Sequence, residues 1–278
     1  MALHYNTVLI IAGSDSIGGA GIQADIKTCT AHGVYAMTAI TAVTAQNTCG
    51  VNSFEPVGGR LLRGQLDAVL SDVTPDAVKV GMLPDSDSVN IVAEAIEHYG
   101  LTHVVVDPVI VSTSGDHLSS SGALEAMKER LFPLAEIITP NIPEAIAISG
   151  MEIATEEDCI NVADCIIRQC GCNSVLVKGG HAQGVMLTDF LVNAANDDSG
   201  ILRFTNPRID TVNTHGTGCT LSSAIASNLS RGMELAEACS EAIGWLHSAI
   251  ENGAGYSLGH GNGPVNHMFR IINQYSSR

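Results

Sequence analysis

Short apolar runs rich in β-branched residues recur along the chain, and each is followed by a longer stretch in which apolar residues return every three or four positions. That alternation is the pattern of parallel strands joined by crossover helices. It predicts strands at 7–12 (TVLIIA), 39–45 (AITAVTA), 76–80 (DAVKV), 103–107 (HVVVD), 136–140 (EIITP) and 174–178 (SVLVK). It predicts helices over 21–33, 86–100, 120–131, 155–171, 220–232 and 234–253, several of which end at glycine, as helix C-termini often do. Segments 184–193 and 201–209 read as an antiparallel excursion around a loop at 196–200. No composition break, charge block or repeat divides the sequence, so one α/β domain over residues 1–278 is expected.

Composition narrows the partners. The 278 residues carry 13 Lys+Arg against 29 Asp+Glu, a formal charge of −16, which argues against nucleic acid or an anionic membrane surface. An anionic substrate must then be held by a few well-placed positive groups. The N-terminal stretch lacks a basic region and breaks at Gly13, so it reads as a first strand and not a signal peptide, and no apolar run approaches a membrane span. The eight cysteines form no CxxC pair and have no histidine at zinc spacing, which reads as buried reduced thiols in a cytoplasmic protein. Cys219 stands apart because of its neighbours.

Ligands of open α/β sheets bind beyond the carboxyl ends of the strands. There the sequence has Gly13-Ser14-Asp15, Asp107, Pro140-Asn141 and Lys178-Gly179-Gly180. The stretch NTHGTGCT (213–220) opens the helix predicted from 220. Its glycines let the backbone approach a ligand closely, and its amides and helix dipole favour an anion. The dinucleotide fingerprint, the P-loop and the protein-kinase loops are all absent, which sets aside a Rossmann oxidoreductase.

The ordered set AGSDSIGGAGIQADIKT, AVTAQNT, VKVGML, VVDPVIVSTSGD, ITPNIPEA, VLVKGGH, NTHGTGCTLSSAIAS and GPVNH resembles the hydroxymethylpyrimidine/phosphomethylpyrimidine kinases of thiamine biosynthesis, within the ribokinase superfamily. The resemblance implies a ribokinase-like three-layer αβα fold with a mostly parallel sheet, ATP and Mg²⁺, a pyrimidine substrate and a homodimer. Gly216, Thr217, Gly218 and Cys219 would form the anion hole for the transferring phosphoryl group. Lys178 would steady the nucleotide phosphates, with Asn141, Gly180 and Gly218 beside the nucleotide, and Asp107 and Glu144 would hold the metal and its waters. Gln46, Gly13, Ala20, Asp25, Met82 and Val109 match positions lining the acceptor ring. A carboxamide at Gln46 presents a donor and an acceptor together, suited to a ring nitrogen beside an exocyclic amine. His215 and His181 read as hydrogen-bonding wall residues, and the tail stretch GAGYSLGHGNGPVNH as a loop near the adenine or a flexible connection.

Sugar kinases of this superfamily place aspartate where Cys219 stands. A second acceptor that is itself a phosphate would be repelled by a carboxylate about 4 Å away by on the order of 4 kcal/mol at an effective dielectric near 20. A neutral thiol avoids that cost; alternatively, a helix N-terminus lowers the thiol's pKa and makes a thiolate base. Pyridoxal kinase activity and a non-catalytic ligand-binding regulator are the competing readings.

Overall fold

The computed structural model describes residues 3–110, 121–181, 184–194 and 200–271. Its elements are β1 (Thr7–Ser14), α1 (Gly21–Ala31), β2 (Tyr35–Asn47), β3 (Gly50–Pro56), α2 (Gly59–Leu70), β4 (Ala77–Val80), α3 (Ser86–Tyr99), β5 (Val104–Val106), α4 (Ser121–Ala126), β6 (Ile137–Ile138), α5 (Ile142–Ser149), α6 (Glu156–Cys170), β7 (Ser174–Val177), β8 (Met186–Asn193), β9 (Ile201–Pro207), α7 (Thr217–Ser230) and α8 (Leu235–Glu251).

The strands form one 9-stranded sheet in the order β3-β2-β1-β4-β5-β6-β7-β8-β9. Strands β2, β1, β4, β5, β6 and β7 run parallel, while β3 pairs antiparallel with β2, and β8 with β7 and β9. The two-residue period of a strand divides its side chains between two cores. Leu9, Ile11, Val78 and Val80 face the layer built from α2, α3 and α6, through Leu62, Leu66, Val89, Val92, Val162 and Ile166. Val8, Ile10, Ala77 and Val105 face the layer of α1, α7 and α8, through Ile22, Ala224, Ile225 and Ala242. The central strands are buried on both faces, which is why they read as unbroken apolar runs.

The predicted central strands and most predicted helices are present at nearly the expected positions. Gly100, Gly150 and Gly171 close α3, α5 and α6 in the left-handed conformation. Three local expectations need correction. The helix predicted over 120–131 is interrupted: α4 passes into a π turn at Met127–Leu131 and a tight turn at Phe132–Leu134 containing Pro133, a change of winding that buries Met127, Leu131 and Phe132 together. Strand β3 was not anticipated, because a mostly exposed edge strand carries little apolar signal. Helix α2 was also missed, since Gly58, Gly59 and Gly64 obscure the four-residue spacing by which Leu62, Leu66 and Leu70 bury. The antiparallel excursion is β8 and β9, and most of its expected connecting loop lies outside the described residues, as do residues 111–116 of the VVDPVIVSTSGD motif.

Candidate active site

The ladder continues past the strand ends in step, with the Gly81, Asp107, Thr139 and Lys178 amides donating to Ile11, Val80, Val106 and Pro140 carbonyls. Asp107 and Lys178 therefore emerge side by side at one edge. Lys178 Nζ lies 2.8 Å from Asp107 Oδ1 and 3.9 Å from Glu144 Oε2. The Thr139 hydroxyl donates to the same Asp107 oxygen at 3.2 Å. Burial works against the Lys178 charge, but Asp107 and Glu144 outweigh it and hold the ammonium above its usual pKa.

The stretch from Asn141 to Glu144 is first a helix cap. Asn141 Oδ1 accepts from the Glu144 amide at 2.9 Å, and Glu144 Oε2 accepts from the Asn141 amide at 2.8 Å. This reciprocal pair fixes the start of α5 and presents the Glu144 carboxyl to the edge. Burial pushes that carboxyl up to about 7; Lys178 pulls it down and Asp107 raises it further. The next turn, Gly179–His181, is pinned by Asp189 of β8, which accepts from the Gly179 amide at 2.7 Å. A side chain at Gly179 would overlap the Thr188 carbonyl, whereas Gly180 is exposed and unobstructed.

Helix α7 brings its N-terminus over this edge. Gly216, at φ 82°, turns the chain into the helix, and a Cβ there would collide with the Gly19 carbonyl. Gly218 lies directly above the ion pair: a Cβ would sit 3.2 Å from Asp107 Oδ2 and 3.3 Å from Lys178 Nζ. First-turn amides have no acceptor within their own helix; the Thr217 amide turns back to the Thr214 carbonyl at 3.3 Å, which leaves those of Gly218 and Cys219 to crown the edge with positive ends. The Cys219 thiol is half-buried and accepts from the Gly21 amide. Burial pushes it up to about 12; Lys79 pulls against this, and Asp25 and Asp107 add to it. Burial favours the neutral-thiol reading of Cys219 over a thiol lowered by the helix end.

The acceptor side lies toward β1, β2 and β3. Met82 and Ala42 form a small apolar cluster with Val109, Val51 and Phe54, and Gly13 faces Met82 so closely that a Cβ would lie 3.0 Å from its sulfur. Half-buried Gln46 stands beside this wall; its Oε1 accepts from Thr44 at 3.3 Å, and its Nε2 lies 3.5 Å from His215 Nε2. His215 Nε2 is 2.9 Å from Asp15 Oδ2, and that aspartate also accepts from the amides of Ile17, Gly19 and Ala20. Burial opposes the Asp15 charge, but the His215 contact and these amides together hold its pKa below the usual range. His215 is thus a wall residue that joins the loop after β1 to the anion loop.

Asp25 is the site residue that the structure moves elsewhere. It is fully buried beneath the site, with its oxygens held by Lys79 and Ser223, so it supports the acceptor loop without facing a ring. The tail segment is neither loose nor a free connection. Thr48, at the β2–β3 turn, accepts from the amides of His260, Gly261 and Asn262, while Asn213 donates to the Gly253 and Tyr256 carbonyls. Lys79 and Asp189 escaped the sequence reading. A lysine inside the apolar run AVKV was the one available signal among them. A separate groove between α2 and α3, lined by Arg63, Leu66, Glu94 and Tyr99, holds none of this chemistry.

An ion pair, a glycine-rich helix start and an apolar wall at the carboxyl edge of a mostly parallel sheet fit a phosphotransferase of the ribokinase-like class. Solved structures agree: a Bacillus subtilis pyridoxal kinase in complex with ADP is 35% identical and superposes with a TM-score of 0.87, covering 97% of this chain and 100% of its own. A phosphomethylpyrimidine kinase from Clostridium difficile is 41% identical with a TM-score of 0.76, over 88% and 99%. Among curated proteins, the hydroxymethylpyrimidine/phosphomethylpyrimidine kinase of Rhizobium meliloti is 46% identical over 94% of this chain and 97% of its own length. The sequence profile of the phosphomethylpyrimidine kinase family matches residues 15–266, and the chain belongs to that family.

Proposed function

We propose that this chain transfers the γ-phosphoryl group of ATP to the hydroxymethyl oxygen of 4-amino-5-hydroxymethyl-2-methylpyrimidine, and then a second phosphoryl group to the resulting monophosphate. The observation that carries this is the juxtaposition of Gln46 and the Met82 wall with the Lys178 and Gly216–Cys219 edge. In the first transfer the acceptor oxygen bonds to phosphorus as the bond to the ADP oxygen breaks, and the hydroxyl proton passes to the transferred phosphoryl oxygens or to solvent; in the second the ionised phosphate oxygen has no proton to lose, and in both charge is spread over the transferring group. The first-turn amides of α7 and the Lys178 ammonium are aimed at that charge. Glu144 and Asp107 fit a divalent cation: both are oxygen donors, and a carboxyl pushed up to about 7 by burial is one that a cation would relieve. Mg²⁺ bound there with the nucleotide would neutralise phosphate charge. Gln46 orients the aminopyrimidine, and Met82 and Val109 exclude water from its face.

A cytoplasmic location is supported by the eight cysteines, all of them free. Among the described residues no helix is long and apolar enough to cross a membrane. A homodimer is part of the same reading, tested by light scattering after gel filtration. The function itself is tested by incubating the protein with ATP, Mg²⁺ and the hydroxymethylpyrimidine and resolving products by mass. Stepwise mono- and diphosphate formation is expected, with pyridoxal, the substrate of several structural neighbours by name, turned over less efficiently. Preferred phosphorylation of pyridoxal, or no ATP turnover, overturns it.

A further inference from the structure

The bulkiest fully buried side chain among the described residues is a charged one, Lys79 of β4. Its Nζ lies 3.0 and 2.9 Å from Oδ1 and Oδ2 of Asp25, which is also completely buried, and the Ser223 hydroxyl donates to Oδ1 at 2.7 Å. Buried ion pairs are poor stabilisers, because desolvation offsets most of their attraction. Their position is therefore more informative than their strength. Asp25 is four residues along α1 from Gly21, and Ser223 is four residues along α7 from Cys219. The Gly21 amide meets the Cys219 thiol, so the charged cluster lies four residues along each helix, roughly 6 Å, below that contact. Gly81 leaves the room for this: a Cβ there would stand 2.8 Å from Lys79 Nζ.

We propose that Lys79 is the buried cation of the anion loop, held by Asp25 and Ser223 beneath the first turn of α7, where it adds positive potential to the amides that receive the transferring phosphoryl group. It is a positioning residue and touches no substrate. The inference rests on the kinase reading, but the Cys219 thiol reports the local potential whether or not the enzyme turns over. The charged groups acting on that thiol are Lys79 and Lys178, which favour its ionised form, and Asp25 and Asp107, which oppose it.

The test is the rate at which iodoacetamide modifies the Cys219 peptide, followed by mass spectrometry in the ligand-free protein. At fixed pH below the thiol pKa, Lys79→Met should slow it by about tenfold, the effect of one pKa unit on the thiolate fraction, and Asp25→Asn should speed it. A packing role moves both variants in the same direction, and that result, or no change, overturns the proposal. The double variant Lys79→Met/Asp25→Asn leaves no unpaired buried charge and decides the case if either single variant fails to fold. Its Cys219 should react more slowly than in the parent protein, because the variant removes the cation from beneath the first turn of α7. An equal or faster rate overturns the proposal. In the pyrimidine assay the double variant should lose at least about tenfold in kcat with little change in KM for ATP, and an unchanged kcat also overturns it. Opposite alkylation shifts in a protein that never phosphorylates the pyrimidine would support the placement of Lys79 and remove the kinase reading instead.

Discussion

At the scale of single residues, Cys219 is the position where the chain departs from an aspartate-bearing anion loop, and its thiol, pushed up to about 12, is neutral at working pH. A neutral group tolerates both an alcohol and a phosphate as acceptor. Cys219→Asp should therefore keep a good part of the first phosphorylation and lose the second selectively. A penalty of about 3 kcal/mol corresponds to over a hundredfold. Cys219→Ser, which keeps a neutral group, should change the two steps by similar factors. Separate steady-state rates on the two acceptors decide it, and equal losses on both acceptors in Cys219→Asp would leave Cys219 with a packing role only. Gln46→Leu keeps the bulk of the side chain but removes the partner of the ring's polar edge. KM for the pyrimidine should rise by the equivalent of about 1–3 kcal/mol with Tm little changed. An unchanged KM would place Gln46 outside the acceptor pocket.

At the scale of elements, the decisive feature is how α7 meets the sheet edge. Gly216 and Gly218 do different work there, and alanine separates them. Gly216→Ala forces a side chain into a left-handed turn and onto the Gly19 carbonyl, so backbone must yield. A cost of about 2–3 kcal/mol, or several degrees in Tm, is expected together with loss of activity. In Gly218→Ala the new methyl meets the ends of Lys178 and Asp107, which are side chains and can shift. Calorimetry should show a small change in Tm, while kcat falls sharply because Lys178 is displaced. If Gly218→Ala proves the less stable of the two, this division fails. The close approach of Gly216 and Gly218 to the sheet edge was legible because glycine admits near backbone contact, while the role of an anion loop came from the family resemblance and not from the spacing alone. The parallel strands were legible because burial on both faces leaves them apolar throughout. Strand β3 and helix α2 were not, since an exposed edge and a glycine-interrupted helix hide their period. Asp25 was misplaced for a related reason: its partner Lys79 comes from a strand 54 residues away, and no local pattern announces that pairing.

At the scale of the whole molecule, the C-terminal segment acts as a strap across the site. It bonds Thr48 at the β2–β3 turn and Asn213 and His215 at the anion loop, and it ends against α7 at His267. The Thr220 hydroxyl donates to the Gly216 carbonyl at 2.8 Å, so at 2.9 Å it accepts from His267 Nε2–H, and the imidazole is neutral. Burial lowers the His267 pKa from 6.5 to about 4, with Lys27 contributing in the same direction. A folded pKa below the unfolded one means that the unfolded chain binds the extra proton. His267 therefore costs no stability at neutral pH and removes it progressively as pH falls from 6.5 through 4. The loss reaches about 2.5 kcal/mol near pH 4.5. His32, lowered by burial, acts in the same direction, while Glu144 and Asp189, raised by burial, act in the opposite one. The comparison of His267→Gln with the parent protein cancels those terms. Glutamine can still donate to Thr220 but does not titrate in this range. Denaturant unfolding should find the two proteins within about 1 kcal/mol at pH 7.5, with the variant gaining about 2 kcal/mol on the parent by pH 4.5. Parallel stability curves across that window would mean that His267 titrates in the folded protein as it does in the unfolded chain, and the parent gaining on the variant would mean that a charged His267 holds the strap.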